Sequence, residues 1–202
     1  MAKWGAIGCV VVLVVAAVLG LAGIGTYNRL VGLDQDVQAQ WAQVENVYQR
    51  RADLVPNLVE TVKGAAAFEK DTFTAVAEAR SRVGQVGGGA LQNVVNDPQA
   101  FQRFQEAQAG LSSALSRLMV VVEKYPELKA NQNFLGLQSQ LESTENRIAV
   151  ERMRFNEKAQ AFNTTRMSFP TVLIAGFFGG RFNEKPYFKA QEGAEKAPQV
   201  KF

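Results

Sequence analysis

Between Lys3 and Arg29 the chain carries no charged residue, and within that gap Trp4 to Ile24 reads WGAIGCVVVLVVAAVLGLAGI, 21 residues rich in Val, Leu, Ala and Gly. As a helix rising about 1.5 Å per residue, such a run covers about 30 Å, the thickness of a bilayer's hydrocarbon core. It predicts a transmembrane anchor over residues 1–28, in contact with membrane lipid, with Trp4 and Tyr27 placed where interfacial aromatics belong. A cleaved signal peptide, or a lipoprotein signal ending at Cys9, fits less well. The apolar run follows Cys9 instead of preceding it, and no Ala-x-Ala site closes a short apolar core. Lys3 and the amino terminus outweigh Arg29 near the span, which tilts the N terminus toward the cytoplasm and the body outside it. Ala16 and Gly20 have a small-xxx-small spacing, which arises readily by chance in so Gly-rich a run.

From Leu30 the apolar residues recur at three and four: Leu30, Leu33, Val37, Trp41, Val44, Tyr48, then Arg51, then Val55, Leu58 and Val62. This is a heptad-like helical seam that continues the anchor or bends from it near Gly25 or Gly32. A second helix follows Gly64, with Phe68, Phe73, Val76, Ala77 and Val83 on one side, and the glycines of residues 84–89 end it. Asn96-Asp97-Pro98 is a helix start, a capping side chain followed by proline in the first turn. The helix it opens carries Phe101, Phe104, Gln108, Leu111, Leu115, Leu118, Val122 and Tyr125, and Pro126 marks its turn. The last long helix, from Asn131, carries Phe134, Leu137, Leu141, Thr144, Ile148, Glu151, Phe155 and Phe162. The pattern predicts an all-α protein, an antiparallel up-and-down four-helix bundle over residues 29–168. Residues 169–202 form an apolar C-terminal segment and a tail. Thr171 to Gly180 is too short to span a bilayer; Val172, Leu173, Ile174, Phe177 and Phe178 cap the bundle, enter a membrane interface or pack on a neighbouring protomer.

The seams are not purely apolar. Arg51 occupies a core position, while Thr144 and Glu151 interrupt the last seam beside Glu145 and Arg152. Arg50 or Arg51 is expected to pair with Glu142 or Glu145 in an ion-pair network, with Asp53 and Arg152 nearby, that fixes helix register. Pro56 removes the N–H that would bond the Ala52 carbonyl, so a kink or local unwinding is expected there, with Asn57 available to the freed groups.

Composition narrows the chemistry. From Arg29 onward 21 Lys and Arg face 19 Asp and Glu, too even a balance for a nucleic-acid surface. The sequence has no histidine and its single cysteine lies in the apolar run. It therefore offers neither the usual proton shuttle nor the Glu-x-x-His pairs of a di-iron bundle, and we expect no catalytic, metal or cofactor site.

A family likeness runs through the chain: Tyr27-Asn28-x-Leu30-Val31, Trp41-x-x-Val44-Glu45, Gln49-Arg50-Arg51-x-Asp53-Leu54-x-Pro56-Asn57-Leu58-Val59, Tyr125-Pro126-x-Leu128, Glu145-Asn146-x-Ile148, Arg154-Phe155-Asn156 and Phe169-Pro170. The sequence resembles the LemA family. Where many members carry Tyr-Ala-x-His-Glu after the first helix, this chain has Ala66-Ala67-Phe68-Glu69. The resemblance implies a single-pass bacterial membrane protein of the inner membrane with an up-and-down four-helix bundle. It carries no enzymatic activity with it. It implies an N terminus outside, opposite to the charge balance, and membrane organisation as a theme, one member being associated with forming a magnetic organelle's membrane. Two functions are expected. The first is a non-enzymatic scaffold that forms a homo-oligomer or recruits a membrane-protein partner; the alternative is a sensor or signal-relay bundle acting through a partner.

Overall fold

The structure, a computed structural model, describes residues 2–64, 66, 68–87 and 94–189. They are mostly helical, with no strand among them. Helix α1 (Ala2–Lys63) runs unbroken from the apolar N-terminal stretch through Gly25, Gly32 and Pro56. Neither glycine breaks it, so the apolar stretch and the first body helix are one continuous helix of 62 residues, about 90 Å along its axis at helical rise. Then come α2 (Lys70–Gly87), α3 (Pro98–Glu123), the single turn α4 (Pro126–Lys129), α5 (Gln132–Met167) and α6 (Thr171–Phe177), followed by a 3-10 turn at Gly179–Phe182.

The expected caps form. Asp97 Oδ1 accepts from the amides of Gln99 (2.9 Å) and Ala100 (3.3 Å) with Pro98 in the first turn of α3. Asn131 Oδ1 does the same for Asn133 and Phe134 at the start of α5. Each satisfies amides that a helix start leaves open. Phe68 precedes α2 and is exposed, and Ala77 is exposed as well. The buried stripe of α2 is Phe73, Val76, Ala79 and Val83, narrower than the sequence indicates.

Helix α1 pairs lengthwise with α5, and α2 with α3. Asp36 meets Lys158, Gln40 meets Glu151 and Arg51 meets Glu145, so α5 runs antiparallel to α1. Trp41 packs on Phe101 and Phe104, and Arg51 reaches Gln108 and Ser112, so α3 runs parallel to α1. The core divides in two. One cluster gathers Leu30, Val37, Trp41, Val44 and Tyr48 with Phe101, Phe104, Ile148, Phe155 and Phe162. Its aromatic rings lie about 5–6 Å apart, mostly tilted or edge-on, as ring quadrupoles favour. The other joins Val55, Leu58 and Val62 to Phe73, Val76, Leu111, Leu115, Leu118 and Phe134. Arg51 lies between the two in sequence and in space.

The C-terminal segment returns to the start of the body. Helix α6 packs on α1 and α5, with Phe178 4.8 Å and Phe182 5.6 Å from the Tyr27 ring. Residues 183–189 then run extended along α5. The expected tail beyond residue 189 lies outside the described residues.

Candidate functional site: the buried polar layer

Arg51 sits on the α1 seam where the heptad count places it, and it is 2% exposed. Its Nη1 donates to Glu145 Oε1 (3.0 Å) on α5 and Ser112 Oγ (2.9 Å) on α3; its Nη2 donates to the Gln108 carbonyl (3.2 Å) and to Gln108 Oε1. The guanidinium also lies 5.0 Å from the centre of the Tyr48 ring. One charge on one helix is thus held by two others, while its Nε finds no partner among the described residues. Glu145 is 43% exposed, so the carboxylate keeps much of its hydration and the pair costs less to bury than two enclosed ions.

Of the other residues expected in this network, Arg50, Asp53 and Glu142 do not join it, and Arg152 stands at its edge beside Tyr48. Arg50 and Asp53 lie one and two residues from the seam and are exposed, as a step of about 100° per residue requires. Among the described residues Asp53 accepts only from Gln49, its neighbour one turn back. Glu142 accepts from Gln138. Arg152 donates to the Lys189 carbonyl (2.7 Å) and covers the Phe188 ring at 4.8 Å, and Glu151 binds Gln40 and Arg154. The network is Arg51, Glu145, Gln108 and Ser112, and it draws on α3, which the sequence reading left out.

Pro56 lies within α1 without unwinding it. The Ala52 carbonyl that it leaves without an amide accepts instead from Arg80 Nε on α2, at 3.1 Å. Asn57 is exposed and does not serve it. The proline thus turns an internal helix bond into a tie between helices.

Two further features escaped the sequence reading. Lys185 is fully buried, pairs with Asp34 of α1, donates to Asn96 Oδ1 and sits 4.7 Å from the Phe162 ring centre. Asn163 and Asn156 each bridge the extended C-terminal segment with their amide side chains. Asn163 donates to the Lys185 carbonyl and accepts its amide; Asn156 does both for Phe188. The spacing explains the fit, since seven helical residues and three extended ones both cover about 10 Å. The repeated dipeptide, Phe155-Asn156 and Phe162-Asn163, is the signal that could have revealed it.

An open groove of about 730 Å³ lies between α1, α2 and α3, lined by Glu45, Tyr48, Gln49, Arg80, Gln85 and Phe104 among others. Burial pushes the Glu45 carboxyl above its ordinary range, opposed by the bond it accepts from Trp41 Nε1 (2.7 Å). Burial likewise raises the Tyr48 phenol, against the pull of nearby Arg152 and Arg51. A smaller pocket of about 160 Å³ touches Arg51, Gln108, Glu145 and Arg152 but not Asp53. Among the described residues no three His, Cys, Asp or Glu side chains gather as metal ligands would.

Compared with known proteins, residues 40–202 match the model of the LemA family. The chain belongs to the LemA family. Magnetosome protein MamQ of Magnetospirillum gryphiswaldense is 29% identical over 178 residues, covering 79% of this chain and 65% of that protein. Magnetosome protein MamQ 2 of Paramagnetospirillum magneticum is 30% identical with the same coverage. Protein LemA of Metamycoplasma hominis is 21% identical over 152 residues, 75% of this chain and 64% of its own. The chain therefore spans just under two thirds of the length of these LemA-family relatives. Within the family's matched region lie the Arg51 layer, the Pro56–Arg80 tie and the asparagine clamps. The apolar N-terminal stretch precedes it.

Proposed function

We propose that this LemA-family protein is a non-enzymatic, membrane-anchored helical scaffold. Its four long helices form an up-and-down bundle, which assembles with copies of itself or recruits membrane proteins. The observation that carries the reading is the continuity of α1. Its N-terminal part holds a stretch long and apolar enough to cross a membrane, with Leu13, Val14, Val18, Leu21 and Ile24 uncovered by protein, and it passes without a break into the core seam. A span joined rigidly to a bundle ties the body's orientation to the membrane, as a scaffold requires. The likeness to magnetosome proteins supports membrane organisation as the setting. In a bacterial inner membrane, the charge balance around the span favours a body outside the cytoplasm, opposite to what the family likeness implies.

The test is made in bacterial cells. The full chain is expected to resist alkaline carbonate extraction, to yield cross-linked homo-oligomers or a fixed partner band, and to be cut by protease added to sealed cells. Release by carbonate, or a chain that never cross-links, would contradict the scaffold; protection from protease would move the body to the cytoplasm.

The groove between α1, α2 and α3 favours a second reading, a sensor or signal-relay bundle acting through a partner membrane protein. A ligand seated there would touch Gln49 and also Arg80, the donor of the Pro56 tie.

A further inference from the structure

We infer that α6 and its flanking turns form a second membrane contact, a foot seated in the headgroup–acyl boundary of the bilayer beside the emerging α1. This rests on the reading of α1 as a membrane span.

Position comes first. Because α5 runs antiparallel to α1, it delivers its C terminus to the end of the body from which the apolar stretch leaves. There Phe178 and Phe182 pack on Tyr27, which lies three residues beyond Ile24, about 5 Å along the helix axis. The foot is therefore level with the membrane surface whenever α1 crosses it.

Composition comes second. Only Thr171 and Ala175 of α6 are buried against the body, while Phe169, Leu173 and Phe177 are 80%, 64% and 86% exposed. Large apolar side chains gathered at that exposure mark a contact surface. It adjoins the bare apolar wall of α1 at Leu21 and Ile24, which the bilayer would cover. No acidic residue occurs between Glu157 and Glu184, whereas Arg166 and Arg181 do. Arg181 lies 5.7 Å from the Tyr27 ring centre, and Arg166 donates to the Phe182 carbonyl. Cations at this level and no anions suit a surface of anionic headgroups.

Size comes third. Seven helical residues span about 10 Å, too little to cross a bilayer, but within the depth of about 5–10 Å to which interfacial helices sink. A lipid surface meets all three conditions.

The test uses the full chain with Cys9→Ser, reconstituted into vesicles of phosphatidylethanolamine and phosphatidylglycerol. Nitroxide labels are placed singly at Leu13→Cys, Leu173→Cys, Phe177→Cys and, as an aqueous control on α2, Glu78→Cys. Labels at 13, 173 and 177 are expected to be relaxed by oxygen and shielded from a water-soluble nickel chelate, and the label at 78 to show the reverse. Nickel access at 173 and 177 with 13 in lipid would overturn the foot and leave the span standing. Shielding from both agents with spin–spin broadening would also overturn it, assigning the surface to a second copy. Nickel access at 13 would remove the span and the foot together.

Discussion

Burying the Arg51 guanidinium is tolerable because four acceptor contacts from two helices meet it, and one of those acceptors, the buried Gln108 Oε1, would be stranded without it. Arg51→Met leaves Gln108 Oε1 in the core without a donor, a loss of about 2 kcal/mol in chemical denaturation. Adding Gln108→Leu is expected to recover most of it, because well-packed apolar residues often replace buried polar networks without loss. A double variant no more stable than the single one would show that the layer contributes net stability and not mainly register. Glu45 gives a pH signature. Its native carboxyl binds a proton more tightly than the unfolded chain does, so its contribution to stability falls as pH rises from about 4.5 through the native pKa. Glu45→Gln keeps an acceptor for Trp41 and removes the titration. The melting temperature of the variant relative to the parent is expected to rise as the pH climbs from about 4.5 through the native pKa and to stay level beyond; a difference independent of pH would refute this.

At the scale of elements, Pro56 and Arg80 form a coupled pair. Arg80→Met removes the donor to the Ala52 carbonyl and is expected to cost about 1 kcal/mol. With Pro56→Ala the backbone amide returns to that carbonyl, so the same Arg80 substitution should then cost markedly less, and a double-mutant cycle measures the difference. Additive effects would mean that Arg80 does not stand in for the missing amide. The asparagine clamps hold the extended segment in a similar way. Asn163→Ala removes three bonds, to both backbone groups of Lys185 and to the Tyr187 hydroxyl, and is expected to speed tryptic cleavage at Arg181 and Lys189, Lys185 being shielded by Pro186, several-fold in the folded protein. The helices themselves were legible in the sequence because a period of 3.6 imposes a seam; nearly every seam residue named on α1 and α3 is buried. The partners of Arg51 were only half legible. Glu145 follows from charge, but Gln108 and Ser112 are neutral and their approach depends on which helices become neighbours. The Arg80 tie and the Lys185–Asp34 pair were invisible for the same reason, since they join residues 28 and 151 positions apart that no periodicity relates.

Across the whole molecule, the arrangement is a continuous helix of 62 residues whose described large apolar side chains from Val11 to Ile24 are uncovered and whose second part forms one side of a packed body. A polar layer at Arg51 divides that body's core, and the C-terminal segment is pinned back to the point where the helix leaves it. The pair between buried Lys185 and half-buried Asp34 and the Tyr27 ring cluster both brace that junction, so tilting the apolar end of α1 tilts the body. In the scaffold we propose, with α1 crossing a membrane, the orientation of the body is inherited from the membrane and is available to neighbours in the same plane. The most direct test is native mass spectrometry of the full chain released from membranes in native lipid particles without detergent. The account predicts a mass of at least two chains of 22.1 kDa, or of one chain with a partner membrane protein. A single chain alone, across the working concentration range, would contradict it.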